Sequence, residues 1–580
     1  MTRILLLSTL LLLLLAFKLP DPPTGGGEKY PINYFHPPVM HTLLLAGTFG
    51  ELRPNHFHAG IDIKSSRGVA GDQVFAAADG YVSRIKVDES GYGNALYINH
   101  PNGFTTVYAH LDHFTEAVAA YVKKQQYAKK SFEVDLNPAY GEFTFHQGEQ
   151  IGVMGNSGSS NGAHLHFEIR KTSNQKPINP LLFGFHVTDN VPPKMHALKA
   201  YFLNDKLEEQ GAKEFPLIKI RNGRYKIKGD TLELAAWRTG LALKVYDHFD
   251  RVSNWNGIYS LNMYQDGQLI YEFDMESFSF NESRYINAHC DYEERITKKS
   301  YFNRCFHLPG NKLSIYHQQV NSGVIDLYQG KPSHIKMVAA DVAGNETVLE
   351  FWVRRSKTPA MAVSGKTYNY IFPYDEGNLI RTEGLYLHLP KGTLYENLYL
   401  KYEVTEEHSD GCFSQVHRIH NYRTPVHKYF DIGIRPTASI PAELKPKVFV
   451  AYCQGGDVWN CGGKWKEGLL RARVRAFGDY CIMVDETPPV ITPVAFKYNM
   501  KGYNKMKFKV TDNVETIGHV RAIKYKATVD GKWILMEFDK KNDMLIYRFD
   551  DKVGPGDHVL RISVKDAVGN EVVFEEGFIR

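Results

Sequence analysis

One stretch near the start of the sequence carries side chains suited to metal chemistry, His56-Phe57-His58-Ala59-Gly60-Ile61-Asp62-Ile63. In a β-strand, alternate side chains point to the same face. Read as a strand, this stretch places His58, Gly60 and Asp62 on one face and its isoleucines on the other. The sequence therefore predicts an imidazole and a carboxylate above an apolar sheet, with room beside them at Gly60.

A second stretch, His164-Leu165-His166-Phe167-Glu168-Ile169, repeats this alternation about a hundred residues later. His164 and His166 share one face of the predicted strand, and the apolar Leu and Phe share the other. If the two strands lie side by side, two imidazoles and the carboxylate of Asp62 can converge. Such a set, completed by water, is the tetrahedral arrangement typical of catalytic zinc.

Three motifs together resemble the signature of the lysostaphin-type (LytM-like) zinc peptidases, which cut peptide bonds in bacterial peptidoglycan. They are the His58-x-Gly60-x-Asp62 motif, Tyr108-Ala109-His110-Leu111, and the second stretch. Glycine-bearing turns expected in that family also occur in order, at 80–82, 91–94, 148–152 and 155–158. The resemblance covers about residues 45–172 and does not extend to the rest of the chain.

The resemblance implies a role for each polar side chain. It implies one Zn²⁺ per chain, held by His58, Asp62 and His166. It implies that His110 and His164 are catalytic, accepting the proton of the attacking water and stabilising the oxyanion. Strand parity agrees for His164, because it shares a face with His166.

Other polar residues are expected around the site. His56 has the same parity as His58 but lies at the loop end of its strand, so we expect a rim residue. Tyr108, Asn94 and the loop Ser157 to Ser160 are predicted to shape the substrate groove.

Composition indicates a folded, sheet-rich chain. The 580 residues are enough for about four domains, and 43% hydrophobic with 23% charged residues is typical of globular proteins. Tyr (35) and Phe (33) are plentiful and favour strands. We therefore predict an all-β fold, with a LytM-like antiparallel catalytic domain followed by several Ig-like β-sandwich modules.

The domain boundaries follow from breaks in this pattern. Arg3 and the short apolar run Ile4 to Phe17 are typical of an export signal, and both a cleaved signal and an uncleaved anchor stay open. The predicted units are a signal or anchor at 1–20, a linker at 21–29, the zinc peptidase domain at 30–187, an Ig-like module with an insertion at 188–357, a β-rich module at 358–485 and an Ig-like module at 486–580.

A repeat supports the two Ig-like assignments. Asp341-Val342-Ala343-Gly344-Asn345 recurs as Asp566-Ala567-Val568-Gly569-Asn570, and each module opens on an Asp followed by a Pro-Pro pair. The first copy is longer, which predicts an insertion around 281–311. Asp341 and Asp566 suit a turn-stabilising role better than calcium binding.

Between Leu111 and Gly148 the chain departs from the family's usual short connection. Residues 117–130 are predicted to form a helix with Lys and Gln outward, followed by a polar and aromatic loop at 132–145. Such an excursion is either a lid over the site or decoration.

Six cysteines lie outside the predicted catalytic domain, an even number that allows disulfides in an exported chain. Proximity in sequence suggests the pairs Cys290–Cys305, Cys453–Cys461 and Cys412–Cys481.

The motifs favour an exported zinc metalloendopeptidase that hydrolyses peptidoglycan cross-links in the periplasm or cell envelope. Peptidoglycan peptides are the expected substrate, with envelope protein partners through the β modules. The alternative is a non-catalytic relative that binds the wall or activates other hydrolases, although such relatives usually lose site residues.

A net charge of +5 without basic runs interleaved with aromatics argues against nucleic acid as a partner. Membrane contact is expected only through an uncleaved N-terminal segment. We also expect a chain ending near Phe185 to keep its chemistry.

Overall fold

A computed structural model describes residues 30–328, 330–357, 367–405 and 411–580. The predicted signal and linker lie outside the described residues. The all-β prediction is confirmed, because strands dominate every part of the chain that the structure describes. None of the described helices is both long and apolar enough to cross a membrane.

The first module contains an 11-stranded antiparallel sheet, a separate two-stranded sheet, one α-helix and a short 3₁₀ helix at Pro180–Phe183. Its elements are β1 (Leu45–Gly47), β2 (Leu52–Arg53), β3 (His56–Phe57), β4 (Ile61–Lys64), β5 (Gln73–Phe75), β6 (Gly80–Val87), β7 (Asn94–Asn99), β8 (Phe104–Phe114), α1 (Glu116–Lys129), β9 (Val134–Leu136), β10 (Thr144–Phe145), β11 (Gln150–Met154), β12 (His164–Lys171) and β13 (Pro177–Ile178).

Strands β4, β12 and β8 lie side by side in this sheet, whose main order is β1-β4-β12-β8-β7-β6-β10. On β12, His166 stands opposite Asp62 of β4 on one side and opposite Ala109 of β8 on the other. Leu165 and Phe167 are fully buried in the core beneath the sheet. The predicted apolar face and the predicted neighbours are therefore both present.

The first stretch is not one continuous strand, contrary to the prediction. β3 ends at Phe57 and β4 begins at Ile61, so His58 lies in the connection between them. A Cβ on Gly60 would clash with the Phe167 carbonyl oxygen. Gly60 therefore makes room for the backbone of β12 and not for the site, which corrects the role expected for it.

The strands of the second module begin at Lys194 and bury an apolar core that also includes Phe49, Phe57 and Ala59 of the first module. Its strands are β14 (Lys194–Leu203), β15 (Glu209–Arg221), β16 (Arg224–Ile227), β17 (Thr231–Leu234), β18 (Arg238–Tyr246), β19 (Ser260–Gln265), β20 (Gln268–Asp274), β21 (Asn303–Arg304), β22 (Tyr316–Gln319), β23 (Ile325–Asp326), β24 (Ser333–Ala340) and β25 (Glu346–Arg355). Within the predicted insertion lie the helices α2 (Ile286–His289) and α3 (Tyr292–Lys298), beside short 3₁₀ helices at Ser283–Tyr285 and Val320–Gly323.

The third module follows with its own core and mixes short sheets. Its strands are β26 (Tyr370–Phe372), β27 (Asn378–Arg381), β28 (Leu385–Leu389), β29 (Leu398–Leu400), β30 (Tyr402–Val404), β31 (His417–Ile419), β32 (Phe430–Ile434), β33 (Val448–Gln454), β34 (Asp457–Asn460), β35 (Lys464–Lys466), β36 (Leu469–Val474) and β37 (Gly478–Val484), with a 3₁₀ helix at Lys445–Lys447.

The fourth module packs two four-stranded sheets around one core, with orders β38-β39-β44-β43 and β42-β41-β45-β46. The elements are β38 (Val490–Ala495), β39 (Lys505–Thr511), β40 (Glu515–Thr516), β41 (Lys524–Val529), β42 (Lys532–Trp533), β43 (Met536–Asp539), a 3₁₀ helix at Lys540–Asn542, β44 (Met544–Arg548), β45 (Asp557–Lys565) and β46 (Glu571–Ile579).

The segment between Leu111 and Gly148 contains the predicted helix, α1. The stretch predicted as a loop instead adds β9 and β10 to the edge of the sheet, where both pair with β6. Helix α1 buries Val118 and Val122 in the first core. On its other side, Tyr127 donates to Asp550 Oδ2 at 2.7 Å and Lys123 pairs with the same carboxylate. The segment thus joins the first module to the fourth. This role differs from both predicted alternatives, a lid over the site and decoration.

The suggested disulfides are not observed, because all six cysteines are free thiols. For one pair the register gives the reason. Cys453 stands opposite Val458 in the β33–β34 hairpin, while Cys461 bonds to Val450. Three residues of strand separate their positions by about 10 Å, too far for a disulfide.

Candidate metal centre

Three buried side chains converge in the first module. His58 Nε2 lies 2.9 Å from His166 Nδ1 and 3.0 Å from Asp62 Oδ1, and Asp62 Oδ1 lies 2.9 Å from His166 Nδ1. Donors about 2.1 Å from a tetrahedral ion would be about 3.4 Å apart, so the triangle has nearly the size that zinc needs. Two imidazoles and one carboxylate are a donor set that fits zinc chemically. This group could hold a metal ion.

Burial and charge set the protonation of the three residues. Burial dominates at His58 and lowers its pKa to about 4, so this imidazole is neutral. Burial opposes the charged form of His166, yet hydrogen bonds to Asp62 and Glu168 raise its pKa to about 9. Despite burial, the surrounding imidazoles hold the pKa of Asp62 well below its usual value.

His58 is positioned from behind by the backbone and by the second module. Its Nδ1 donates to the Thr48 carbonyl at 2.8 Å, which leaves Nε2 facing the triangle. The preceding Phe57 is buried against Phe278 of the second module, and its backbone N–H donates to Ser283 Oγ at 2.8 Å. The insertion of the second module thus fixes the connection that carries His58.

Glu168, which the sequence motif contains but to which we assigned no role, supports His166. Its Oε1 accepts from His166 Nε2 at 2.8 Å, on the side away from Asp62. Arg170 donates to Glu168 Oε2 at 2.6 Å, and Tyr92 donates to Oε1. A carboxylate behind a ligating histidine fixes its tautomer and orientation. The signal was available, since His164, His166, Glu168 and Arg170 alternate on one face of β12.

Arg53 is a second neighbour that the sequence did not single out. Its Nη2 lies 2.5 Å from Asp62 Oδ2, and its Nε donates to Glu51 Oε1 at 3.2 Å. Arg53 therefore holds the oxygen of Asp62 that does not belong to the triangle. Glu51 is thus a second carboxylate that pairs with the guanidinium of Arg53.

His110 and His164 lie beside the triangle, with ring centroids 4.8 Å apart. His110 donates through Nδ1 to the Ser157 carbonyl at 2.9 Å, and His164 donates through Nδ1 to the Gly162 carbonyl at 2.9 Å. A carbonyl only accepts, so each neutral ring keeps its proton on Nδ1 and its basic lone pair on Nε2. His164 Nε2 lies 3.4 Å from Asp62 Oδ1. Burial lowers the pKa of His110 to about 3, which keeps that ring neutral.

A backbone irregularity brings His110 to this face. Its φ is +62°, and the register between β7 and β8 shifts around it. Regular alternation would give His110 the face of Tyr108, which is fully buried in the core. The bulge reverses this direction, as bulges near functional sites often do. His110 therefore reaches the place that the resemblance implied through a bulge and not through regular strand alternation.

Only some of the residues predicted for the rim and the groove of the site lie where they were expected. His56 is exposed and bonds to the Pro54 carbonyl, as expected of a rim residue. Tyr108 is completely buried, and its hydroxyl accepts from the Ala77 N–H at 2.7 Å, so its predicted place in the groove was wrong. Asn94 supports the backbone of β8 near its end by donating to the carbonyls of Leu111 and Asp112.

The loop from Ser157 to Ser160 lies at the site as predicted. The Ser157 carbonyl holds His110, and Ser160 Oγ lies 3.2 Å from His164 Nδ1. This loop therefore orients both histidines that flank the triangle.

Comparison with known proteins identifies the domain that carries this geometry. The model of peptidase family M23 matches residues 56–131 and 142–180, which include every residue of the triangle and both flanking histidines. The chain contains an M23 peptidase domain. A model described as a Zu5-like domain matches residues 369–485, the third module.

The relatives of the M23 domain include peptidoglycan-related proteins. The DD-carboxypeptidase/endopeptidase Mpg of Neisseria meningitidis serogroup B is 34% identical over 151 residues, 26% of this chain and 25% of that protein. The murein hydrolase activator NlpD of Escherichia coli K12 is 34% identical over 124 residues, 21% of this chain and 25% of that protein. The chain thus spans about a quarter of the length of the curated relatives it matches.

A solved structure with the same kind of domain is the catalytic domain of the M23 protein EnpA from Enterococcus faecalis. It is 22% identical, is matched over its full length and covers 27% of this chain, with a TM-score of 0.19.

Proposed function

We propose that this protein is an exported zinc metalloendopeptidase that hydrolyses peptide cross-links of peptidoglycan in the periplasm or cell envelope. The observation that carries the proposal is the buried triangle of His58 Nε2, Asp62 Oδ1 and His166 Nδ1, with donors 2.9–3.0 Å apart. Three protein ligands with space for a fourth are typical of catalytic zinc, whereas structural zinc sites usually have four. Similarity to the endopeptidase Mpg supports the choice of substrate.

In this proposal, His58, Asp62 and His166 hold one zinc ion per chain. Zinc bound there supplies a Lewis acid that polarises the scissile carbonyl and makes water a stronger nucleophile near neutral pH. Glu168 keeps His166 in the orientation that presents Nδ1. Arg53 keeps Asp62 ionised and presents its Oδ1 to the ion.

The two flanking histidines are positioned for proton transfer. Each is anchored through Nδ1 to a backbone carbonyl, so each presents a basic Nε2 to the same space. One ring accepts the proton of the attacking water at Nε2 and then returns it to the leaving amine, and the other ring faces the same space, where the oxyanion develops. The closer approach of His164 to Asp62 Oδ1, at 3.4 Å, favours His164 as the proton acceptor.

The test is digestion of purified peptidoglycan by the zinc-loaded full chain, with mass analysis of the released peptides. We expect new amino and carboxyl termini at a cross-link, loss of products on chelation, and recovery on addition of zinc. The matched control is His56→Ala, an exposed histidine of the same stretch, which should remain active. The His166→Ala chain should be inactive.

The same experiment separates the enzyme from the activator. NlpD is named a murein hydrolase activator, and this chain resembles it as closely per residue as it resembles Mpg. If the zinc-loaded chain releases nothing alone but accelerates a purified murein hydrolase, the endopeptidase proposal is wrong and the activator proposal replaces it.

A further inference from the structure

The second and fourth modules each bring three aspartates together at one end of the sheet. Asp189, Asp247 and Asp341 present carboxylate oxygens within 4.8 Å of one another, and so do Asp485, Asp512 and Asp566. None of these six residues belongs to the M23 domain. The two clusters therefore require an explanation separate from the metal centre.

The clusters occupy equivalent places in the repeat. The first Asp of each cluster lies five residues before the opening strand, β14 or β38. The second directly follows the strand that pairs with the opening strand, β18 or β39. The third directly follows β24 or β45 and opens the repeated Asp-x-x-Gly-Asn turn. Two modules with different sequences have thus kept the same three carboxylates in one place.

In the first cluster, buried oxygens lack the partners that burial ordinarily demands. Asp247 is 1% exposed, and its Oδ1 has no hydrogen-bond partner among the residues the structure describes. Asn256 exchanges both backbone hydrogen bonds with Asp247, so their side chains point to the same side. Asn256 is also 1% exposed, and its Oδ1 likewise has no partner in the described chain. Such groups cost free energy unless something satisfies them.

The second cluster repeats this feature. Asn570 is 4% exposed and donates through Nδ2 to Asp566 Oδ2 at 2.7 Å and to the Asp485 carbonyl at 2.9 Å. Its Oδ1 and Asp512 Oδ1 are buried without hydrogen-bond partners within the described ranges. In each module, a buried Asn that is hydrogen-bonded to an aspartate of the cluster thus has an unpaired amide oxygen.

No positive side chain forms an ion pair with these six carboxylates among the described salt bridges. Burial and the neighbouring Asp341 raise the pKa of Asp189 to about 7, and burial with the neighbouring Asp566 raises that of Asp512 to about 6. Bringing three carboxylates together without a cation is unfavourable, and a cation removes the repulsion.

We propose that the two clusters are calcium sites, one in the second module and one in the fourth. Three carboxylates, with oxygen as the donor atom in each, match the preference of Ca²⁺. Zinc would favour imidazole or thiolate donors, and Mg²⁺ keeps several waters. The turn role expected for Asp341 and Asp566 is also present, because their oxygens accept from the following turn. A carboxylate oxygen in such a turn still has a lone pair for a cation.

Calcium at these positions would stiffen the joints between modules. Asp189 lies on the connection from the first to the second module, and Asp485 directly follows the last strand of the third. In both cases the turn Asn ties the connection by donating to the backbone carbonyl of that Asp. An ion that fixes the first Asp would therefore restrict the angle between neighbouring modules.

The test is equilibrium dialysis of the zinc-loaded full chain against ⁴⁵Ca²⁺. We expect two calcium ions per chain, one in Asp247→Asn, one in Asp512→Asn and none in the double variant. Asp457→Asn, an exposed residue of the third module, is the control and should bind two. Calcium should raise the melting temperature of the parent and not that of the double variant.

Asn replacements should fold, because they preserve volume and remove a repelling charge. In calcium-free buffer Asp247→Asn should therefore melt at or above the temperature of the parent. The proposal is overturned if the parent binds no calcium at millimolar concentrations, a measurement that requires no variant. It is also overturned if the double variant still binds two ions, or if Mg²⁺ at equal concentration displaces the calcium.

Discussion

Glu168 Oε1 lies 2.8 Å behind His166 Nε2, while Asp62 Oδ1 lies 2.9 Å in front of His166 Nδ1. One imidazole thus connects two buried carboxylates. Arg170 balances the rear carboxylate, and Arg53 balances the front one. The rear carboxylate orients the ring and raises its basicity, but it does not reach the triangle because the imidazole lies between them. Orientation of His166 is therefore a property of β12 as a whole.

Glu168→Gln should weaken zinc binding without removing a ligand. The amide keeps nearly the same shape but loses the charge that aligns His166, and such neighbours typically contribute about 10–100-fold in metal affinity. Zinc affinity measured by competition with a chelator tests this. Glu116→Gln, an exposed change in helix α1, is the control. Unchanged affinity in Glu168→Gln would show that His166 is held by packing alone.

The two histidines of β12 should separate metal binding from proton transfer. His166→Ala removes a ligand, so zinc content and activity should fall together. His164→Ala leaves the triangle intact, so zinc should stay near one per chain while the rate drops by about 10²–10⁴-fold. Metal content and cleavage rate are measured on the same preparations. Equal loss of zinc in both variants would make His164 a ligand and would contradict the proposed set.

The apolar alternation and the site neighbourhood were readable from the sequence because they depend on strand parity. Parity placed His164 and His166 on one face and their apolar neighbours on the other, as observed. Strand parity gave the wrong prediction where the backbone is irregular. The break at His58 and the left-handed φ of His110 depend on register with neighbouring strands, which a single chain pattern does not encode.

Contacts between modules also could not be predicted from the sequence. Phe57 appears in the sequence as one apolar residue of a strand, and nothing local indicates that it packs on Phe278, more than two hundred residues away. The same holds for Tyr127 and Asp550. Long-range packing is decided by how modules meet. A chain ending near Phe185 would lack these contacts, and the expectation that it keeps its chemistry stays a prediction.

Phe278→Ala should destabilise the second module and also weaken zinc binding. Truncating a fully buried Phe costs about 3–5 kcal/mol. The ring also packs against Phe49 and Phe57, whose centroids lie 4.9 and 5.4 Å away, so the connection bearing His58 should loosen. Phe578→Ala in the fourth core is the matched control, with a similar loss of stability but unchanged zinc affinity. Equal zinc affinity in both variants would confine the role of Phe278 to its own module.

Stability of the second module should fall on acidification through His289. Burial lowers the pKa of His289 to about 4, and the neutral ring bonds to Tyr316 and Asn303. The unfolded chain binds a proton near pH 6.5, whereas the folded chain resists it until about pH 4. Stability is therefore complete above pH 6.5 and declines below it, by up to about 3 kcal/mol at pH 4.

Urea titrations at pH 7, 5.5 and 4.5 measure this decline. His289→Gln should flatten it, because the variant has no imidazole to protonate. The control His388→Gln, at a half-exposed position of the third module, should not. A parent whose free energy of unfolding is constant from pH 7 to 4.5 would contradict the assignment.

Lys541 of the fourth module should support catalysis through the loop that orients both flanking histidines. Its Nζ donates to the backbone carbonyls of Asn156 and Ser160, the latter at 3.1 Å. Between them lies Ser157, whose carbonyl holds His110. Lys541→Met removes the two hydrogen bonds and keeps most of the side-chain volume. Because small displacements of catalytic groups are costly, we expect the cleavage rate to fall about tenfold while zinc content stays constant.

Lys540→Met, which changes the adjacent lysine, is the control and should have the parent's rate. A rate that rises in Lys541→Met would instead mean that the fourth module restrains the M23 domain, and measurement of kcat and KM on a soluble wall peptide distinguishes the two directions.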